Sequence, residues 1–185
     1  MVLAHGAVRT DQKVIESRMQ IYRVAGYAKL AKLWERDPDK ARLFHREYFE
    51  RKYEKDDSFI LAGTYIDITG NKEIRRRPEM LRLLRDCREG MIDVIDMQTK
   101  GYLAANTREF CYMVRYLFDL EHTVHLITED RDYNINTLVN EDNQRGLLFE
   151  MASGYCALNP GDYEMWLQEI IHAMKTAETE RNHAG

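Results

Sequence analysis

The residues best placed for chemistry follow the first apolar run of the chain, residues 23–32. A short apolar run before an amphipathic helical pattern predicts a buried first strand of an α/β domain. In such sheets chemistry gathers at the carboxyl ends of the strands, so a nucleophile is expected between Lys29 and Lys32. The sequence has Ala31 there, and its methyl side chain has no nucleophilic atom.

A second group of polar residues follows the next apolar run, residues 59–66. Asp67 ends that predicted strand, and three consecutive arginines, Arg75, Arg76 and Arg77, precede a helical pattern. A guanidinium fork suits phosphate oxygens, so these arginines are candidates for a phosphate contact or, equally, for a solvent-exposed turn. The loop between them lacks the glycine spacing and the Lys-Ser/Thr pair of a P-loop.

The histidines and cysteines do not form a recognisable metal site. His122 and His125 flank the start of a predicted strand and have no Cys or His partner at zinc spacing. Cys87, Cys111 and Cys156 each lie within an apolar helical pattern, which favours buried thiols in a reducing compartment over disulfides. We therefore expect no metal and no cofactor.

Length and charge narrow the class of protein. The 185 residues fit one domain of ordinary size, and the net charge of −4 gives no broad cationic field. Tight DNA binding by this chain alone is therefore not indicated, although local contacts through Lys29, Lys100 or the arginines remain open. No apolar run approaches the ~20 residues of a membrane span, and the first residues do not resemble a secretory signal. We expect a cytoplasmic protein without a membrane partner.

Strand and helix patterns alternate along the chain. Strands are predicted at residues 23–32, 59–66, 91–97 and 123–128, with helices at about 37–55, 78–88, 106–120, 143–157 and beyond 160. Alternation of this kind predicts an α/β fold in three layers, with a mostly parallel sheet of four or five strands flanked by helices. We expect Leu43, Phe44, Tyr48 and Phe49 to face inward from the first helix.

The end of the chain carries two further helical stripes. Leu147, Leu148, Met151 and Tyr155 are the predicted apolar face of one helix. The last helix is amphipathic and packs on its own domain or on a second copy. We divide the chain into an arm (1–20), an α/β domain (21–158) and a C-terminal helix (159–185) with these interface candidates: Tyr163, Trp166, Leu167, Ile170, Ile171 and Met174.

Several landmarks, in this order, resemble the catalytic domain of the serine site-specific recombinases, the resolvase/invertase family, especially its large-recombinase branch. Arg-Val-Ala-Gly-Tyr-Ala-Lys at residues 23–29 is similar to the family's opening strand. Ile-Asp-Ile-Thr-Gly at 66–70 resembles its Asp-Glu-Gly-Ile-Ser-Gly loop, two residues shorter. Arg-Pro-Glu-Met at 77–80, Gly-Met-Ile-Asp-Val-Ile at 90–95 and Ile-Asn-Thr at 135–137 resemble later motifs.

The resemblance implies a serine that attacks a DNA phosphodiester, with arginines that stabilise the charge developing on phosphorus. Here Ala31 stands at the serine position and Lys29 at the arginine before it. Tyr102 and Ala105 stand at two further arginine positions, whereas Asp67 and Arg77 match the family pattern. The resemblance therefore implies a degenerate active site without an intact catalytic set.

The primary hypothesis is a catalytically inactive recombinase-like protein of a mobile genetic element. It would associate with itself or with an active serine recombinase and support or regulate DNA recombination. One alternative is an active DNA recombinase whose nucleophile is displaced. A second is a flavodoxin-like domain that binds a small anionic ligand near Asp67 and Arg77.

Overall fold

The computed structural model describes residues 20–139 and 144–184 as four strands and five α-helices in the order β1, α1, β2, α2, β3, α3, β4, α4, α5. Residues 1–19 of the predicted N-terminal arm (1–20), residues 140–143 and residue 185 lie outside the described ranges. The bounds are β1 Tyr22–Leu30, α1 Pro38–Tyr53, β2 Phe59–Ile68, α2 Pro78–Arg88, β3 Val94–Met97, α3 Thr107–Phe118, β4 His125–Thr128, α4 Gly146–Leu158 and α5 Pro160–His183.

The four strands form one sheet in the order β2-β1-β3-β4, and all three pairings are parallel. The predicted α/β fold with a parallel sheet flanked by helices is confirmed. Because every strand runs the same way, the carboxyl ends of β1, β2 and β3 lie at one edge. That edge positions the candidate site.

Helix α1 covers one face of the sheet. Asp37 caps it by accepting a hydrogen bond from the Lys40 amide, and Pro38 occupies its first turn, as the sequence predicts. Phe49 packs so closely on β1 that a Cβ at Gly26 would lie 2.4 Å from its ring. Only a glycine fits at this crossing.

The inward face of α1 differs from the sequence prediction. Phe49 is fully buried, as expected, but the other buried residues are Ala41 and His45. Leu43 and Phe44 are exposed. The buried residues of α1 recur every four positions, at 41, 45 and 49, so the buried stripe does not include the predicted positions 43 and 44.

The opposite face of the sheet holds the main core. Helices α2 and α3 pack on it, and α5 lies against α2 while α4 lies against α3. The stripe of α5 contributes to this core, with Ile170 and Met174 buried and Trp166, Leu167 and Ile171 partly buried. Part of the α5 stripe thus packs on its own domain, and the role of α5 as an interface stays a prediction.

The three cysteines are buried and free, as expected. Among the residues that the structure describes, no helix is both long and apolar enough to cross a bilayer.

Candidate functional site

The floor of the site is the buried carboxylate of Asp67, near the carboxyl end of β2. Asp67 lies beside Lys29 in the register of β1 and β2 and is 2% exposed. Its oxygens accept hydrogen bonds from the Tyr27 hydroxyl at 3.0 Å and from the amides of Glu79 and Met80 at 3.0 and 2.9 Å. These amides belong to the first turn of α2, so Asp67 acts as the cap of that helix from a neighbouring strand.

Arg77 lies directly before α2, and its side chain is 1% exposed. One terminal nitrogen donates to the carbonyl of Tyr102 at 2.8 Å, and the other donates to the carbonyl of Lys72. The Nε atom is buried without a hydrogen-bond partner. Arg77 therefore joins the loop before α2 to the loop after β3, and its hydrogen bonds go to backbone rather than to an open cleft.

The floor is electrostatically unsuited to generating a nucleophile. Burial, together with the charge of Asp67, raises the pKa of Tyr27 far above its ordinary value. Burial also raises the pKa of Asp67, although the α2 amides favour its charged form. A phenol that holds its proton this tightly does not supply an attacking oxygen at neutral pH.

The rim of the site contains the positions where the resemblance implies chemistry. Ala31 is exposed and begins a short 3-10 helix, Lys32–Arg36, immediately after β1. Lys29 is half-buried and donates to the Thr69 carbonyl at 3.3 Å. Burial lowers the pKa of Lys29, and the nearby positive charge of Arg77 lowers it further.

Tyr102 and Ala105 complete the rim from the loop after β3. The Tyr102 ring meets Tyr27 edge-on, with ring centroids 6.5 Å apart, and burial raises its pKa. Ala105 is exposed, and its amide donates to the Glu109 carboxylate at 3.1 Å. The structure thus brings Lys29, Asp67, Arg77 and Tyr102 together at one edge of the sheet.

The other candidate phosphate contacts are paired with acids. Arg75 forms an ion pair with Glu73 at 2.8 Å, and Arg76 approaches the same carboxylate at 3.5 Å. Lys100 pairs with Asp132 at 3.2 Å and approaches Asp130 at 3.7 Å. A phosphate would have to displace these carboxylates, which lowers the affinity expected for a small anion or for DNA.

Neither of the described serines lies at this edge. The Ser58 carbonyl accepts from Tyr22 at the start of β1, at the opposite edge of the sheet. The Ser153 hydroxyl accepts from Arg115 at 2.7 Å between α4 and α3. Ser17 lies outside the described residues.

A polar cluster that sequence reasoning missed joins α1 to β3 and β4. Asp96 is fully buried, and its Oδ2 accepts from Tyr53 at 2.6 Å and pairs with Lys52 at 2.7 Å. Lys52 also pairs with Glu129, which accepts from Tyr48 at 2.7 Å. An aspartate within the otherwise apolar strand Val94–Met97 was the available signal, because a buried carboxylate requires partners.

The histidines have structural partners. His122 lies 2.9 Å from both Asp93 and the Ile92 carbonyl, and His125 is buried 3.2 Å from the Thr137 hydroxyl. Within residues 20–139 and 144–184, no group of three or more acidic, His or Cys side chains is arranged to hold a metal ion.

Comparison with known proteins finds solved structures with a similar fold but no similar sequence. No family model matches the chain, and no curated protein sequence matches it. A resolvase family site-specific recombinase from Streptococcus pneumoniae superposes with a TM-score of 0.50 at 15% identity, covering 85% of this chain and 99% of that one. The N-terminal catalytic domain of TP901-1 integrase gives a TM-score of 0.49 at 19% identity, covering 77% of this chain and 98% of that one.

The chain has a resolvase-like catalytic fold. This confirms the three-layer α/β architecture that the ordered motifs predicted. At these identities the likeness concerns the fold alone, so the function has to be argued from the site.

Proposed function

We propose that this chain is a recombinase-like protein without strand-cleavage activity that acts as an accessory or regulatory partner in DNA recombination. The observation that carries the proposal is the composition of the carboxyl edge of the sheet. Its buried residues, Asp67 and Arg77, match the recombinase pattern, whereas Ala31 provides no nucleophile at the exposed position after β1. The fold supports the relation to recombination, and the rim supports the lack of chemistry.

The resemblance implies positively charged side chains around the reacting phosphate, and the scarcity of such side chains here supports the same proposal. Phosphoryl transfer requires preorganised positive charge around the transferred group. Lys29 donates to a backbone carbonyl, and Lys100 is paired with acidic side chains. Tyr102 and Ala105 supply no charge where the resemblance implies arginines. A serine at position 31 would therefore still lack most of its electrostatic support.

A displaced nucleophile is the rival within the same class. Tyr102 carries a hydroxyl on the rim, but burial raises its pKa, and the terminal nitrogens of the neighbouring Arg77 are bound to the carbonyls of Tyr102 and Lys72. The phenol is consequently a poor nucleophile at neutral pH. No described serine lies at this edge.

A suicide-substrate assay tests the lack of chemistry. Wild type, Ala31→Ser and Tyr102→Phe are incubated with a pool of nicked duplexes that trap covalent intermediates, beside an active serine recombinase on its own site. We expect no protein-DNA adduct from wild type or from either variant. An adduct from wild type that disappears in Tyr102→Phe would establish the displaced nucleophile and overturn the proposal.

A mixing experiment tests the accessory role. The chain is titrated into a recombination reaction run by an active serine recombinase from the same host, and complex formation is followed by light scattering. We expect a mixed oligomer and a changed recombination rate. An unchanged rate with no mixed species would remove the accessory role, even if the chain is inactive on DNA.

A further inference from the structure

A cavity of about 340 Å³ lies at the outer edge of the sheet, beside β2. Because α1 and α2 lie on opposite faces of the sheet, their side chains can share a cavity at this edge. Half of the lining side chains are arginines. We call this cavity the arginine cavity, and it is lined by Arg42, Arg46, Thr64, Ile66, Glu79 and Arg82.

The arginine cavity carries positive charge that its carboxylate does not balance. Three guanidinium groups and one carboxylate line it, which leaves two positive charges. Arg46 is exposed and forms no ion pair or side-chain hydrogen bond with the residues that the structure describes. Arg42 reaches Asp39 at 3.7 Å, but the Asp39 side chain is 98% exposed, so water weakens this ion pair.

Arg82 is held in a fixed position at the same cavity. Its guanidinium lies 3.9 Å from the centroid of the Tyr65 ring, and it donates to the Thr64 carbonyl at 3.1 Å and to Glu79 at 3.0 Å. Its Nη1 atom is 4.0 Å from Asp86, beyond hydrogen-bond distance, so this nitrogen keeps donors for a ligand. A guanidinium fixed in this way loses little freedom when it binds an oxyanion.

The arrangement of Arg42 and Arg46 has a cost that an anion would remove. The two residues are one helical turn apart on α1, and like charges at this spacing destabilise a helix. The other candidate phosphate contacts differ, because Arg75, Arg76 and Lys100 are paired with carboxylates of the chain. The arginine cavity is therefore better suited to an anionic ligand than those residues are.

The charge of the cavity indicates which anion fits. Guanidinium forks bind phosphate oxygens in pairs. A phosphate monoester carries about −1.5 to −2 charges at neutral pH, which matches the two positive charges of the cavity. Each phosphodiester of a DNA backbone carries only one charge. The Thr64 hydroxyl can donate a further hydrogen bond, and Ile66 offers an apolar contact to the group that bears the phosphate.

We propose that the arginine cavity binds the phosphate monoester of a small molecule, with Arg42, Arg46 and Arg82 contacting the phosphate oxygens. The inference goes beyond the proposed function and is independent of it. None of the rim residues lines this cavity, and binding there requires neither DNA cleavage nor a second recombinase.

Calorimetric titration with phenyl phosphate tests the site. We expect saturable binding to wild type with a dissociation constant below about 1 mM. Arg46→Ala should weaken it at least about tenfold, because a charge-assisted hydrogen bond is lost. Arg51→Ala, which removes an arginine of the same helix that pairs with Glu47 outside the cavity, is the matched control and should bind as wild type does. Absence of saturable binding, or equal weakening in both variants, would overturn the proposal.

Melting of the free proteins separates lost binding from misfolding. Arg46 is exposed and has no partner among the described residues, so the melting temperature of Arg46→Ala without ligand should not fall. Arg46→Lys retains the charge without the fork and should bind with intermediate affinity. Binding by Arg46→Lys no better than by Arg46→Ala, or a lowered melting temperature in Arg46→Ala, would contradict the assigned contact.

The charge and the source of the phosphate are tested by changing the probe. Binding of phenyl phosphate should tighten as the pH rises through about 6, where the phosphate gains its second charge, and phenyl sulfate should bind more weakly at every pH. A short DNA duplex at equal phosphate concentration should displace phenyl phosphate poorly. Equal binding of phenyl sulfate would contradict the charge match. Strong displacement by the duplex would assign the cavity to nucleic acid and overturn the small-molecule ligand.

Discussion

The floor and the rim of the site lie at the same edge of the sheet but differ in what they do for the fold. On the floor, Asp67 caps α2 and Arg77 joins two loops, and both side chains are almost completely buried. On the rim, Ala31 and Ala105 are exposed, and neither side chain makes a polar contact. The two residues of this edge that resemble the recombinase pattern, Asp67 and Arg77, are thus buried and hydrogen-bonded within the fold.

A residue at such a site can be retained for one of two reasons, its chemistry or its role in the fold. A group that only reacts can be lost without affecting the fold, because solvent satisfies whatever it contacted. A buried cap or tether cannot be lost so easily, since its removal leaves buried donors or acceptors unpaired. The presence of Asp67 and Arg77 is therefore accounted for by their structural roles.

The largest expected effect follows from removing the floor carboxylate. Asp67→Ala leaves the Tyr27 hydroxyl and the amides of Glu79 and Met80 without an acceptor in the interior. We expect a loss of about 3–5 kcal/mol in the free energy of unfolding, measured by urea denaturation. Asp132→Ala, at an exposed carboxylate that pairs with Lys100, is the control, and equal losses in both variants would contradict the structural role of the buried carboxylate.

Conservative exchanges of the two cations provide a second contrast. Arg77→Lys retains the charge but can reach only one of the carbonyls of Lys72 and Tyr102, so it should cost about 1–3 kcal/mol. Lys29→Arg restores a residue of the recombinase pattern and should change stability by less than about 0.5 kcal/mol. Calorimetric melting of both variants tests this expectation. A larger loss of stability in Lys29→Arg than in Arg77→Lys would contradict the difference between floor and rim.

Asp130, which accepts hydrogen bonds from the loop after β3, should make stability depend on pH. Burial raises its pKa, but hydrogen bonds from the Lys100 amide and the Thr99 hydroxyl outweigh this and lower it below the ordinary value. Its contribution to stability is present above the ordinary pKa and is lost as the pH falls through the lower folded-state value. The destabilisation in Asp130→Asn should therefore shrink as the solution becomes acidic.

The stability contributed by Asp67, on the floor of the site, should depend on pH in the opposite direction. Burial raises the pKa of Asp67, so its contribution is present below the ordinary value and is lost as the pH rises through the higher folded-state value. The destabilisation in Asp67→Asn should shrink toward neutral pH. Denaturation curves from about pH 3 to 7 test both variants, and parallel profiles would contradict the assignment.

The smallest effect on stability is expected at position 31. Ala31→Ser adds one hydroxyl at an exposed position before the 3-10 helix, where it meets water. The melting temperature should therefore stay within experimental error of wild type. A marked destabilisation would show that position 31 has a packing role and would weaken the distinction between floor and rim.

Sequence reasoning predicted the fold well because the strand and helix periods are strong. It also placed Lys29, Asp67, Arg77 and Tyr102 in one region, which the parallel sheet brings together. It did not predict the hydrogen bonds that give Asp67 and Arg77 their structural roles, since these depend on loops that meet only in the folded chain. Arg77 illustrates this, because its acceptors are the backbone carbonyls of Lys72 and Tyr102.

Helix faces were predicted less well where the packing partner was unknown. The predicted apolar face of α4 was Leu147, Leu148, Met151 and Tyr155. Leu148 is buried and Tyr155 is half-buried, but the other buried residues of α4 are Ala152 and Cys156. A helix that is apolar on several sides has no single preferred face, so periodicity could not select one. The prediction was therefore wrong for Leu147 and Met151, which are exposed, and right for Leu148.

The most direct test of the central claim is a restored rim. Lys29→Arg/Ala31→Ser/Tyr102→Arg/Ala105→Arg and wild type are compared for covalent adducts on pooled nicked duplexes, with adducts mapped by mass spectrometry. If the floor is an intact scaffold and only the rim has lost its chemistry, the restored chain folds and forms an adduct at position 31, and wild type forms none. An adduct formed by the wild-type chain, at any residue, would contradict the account.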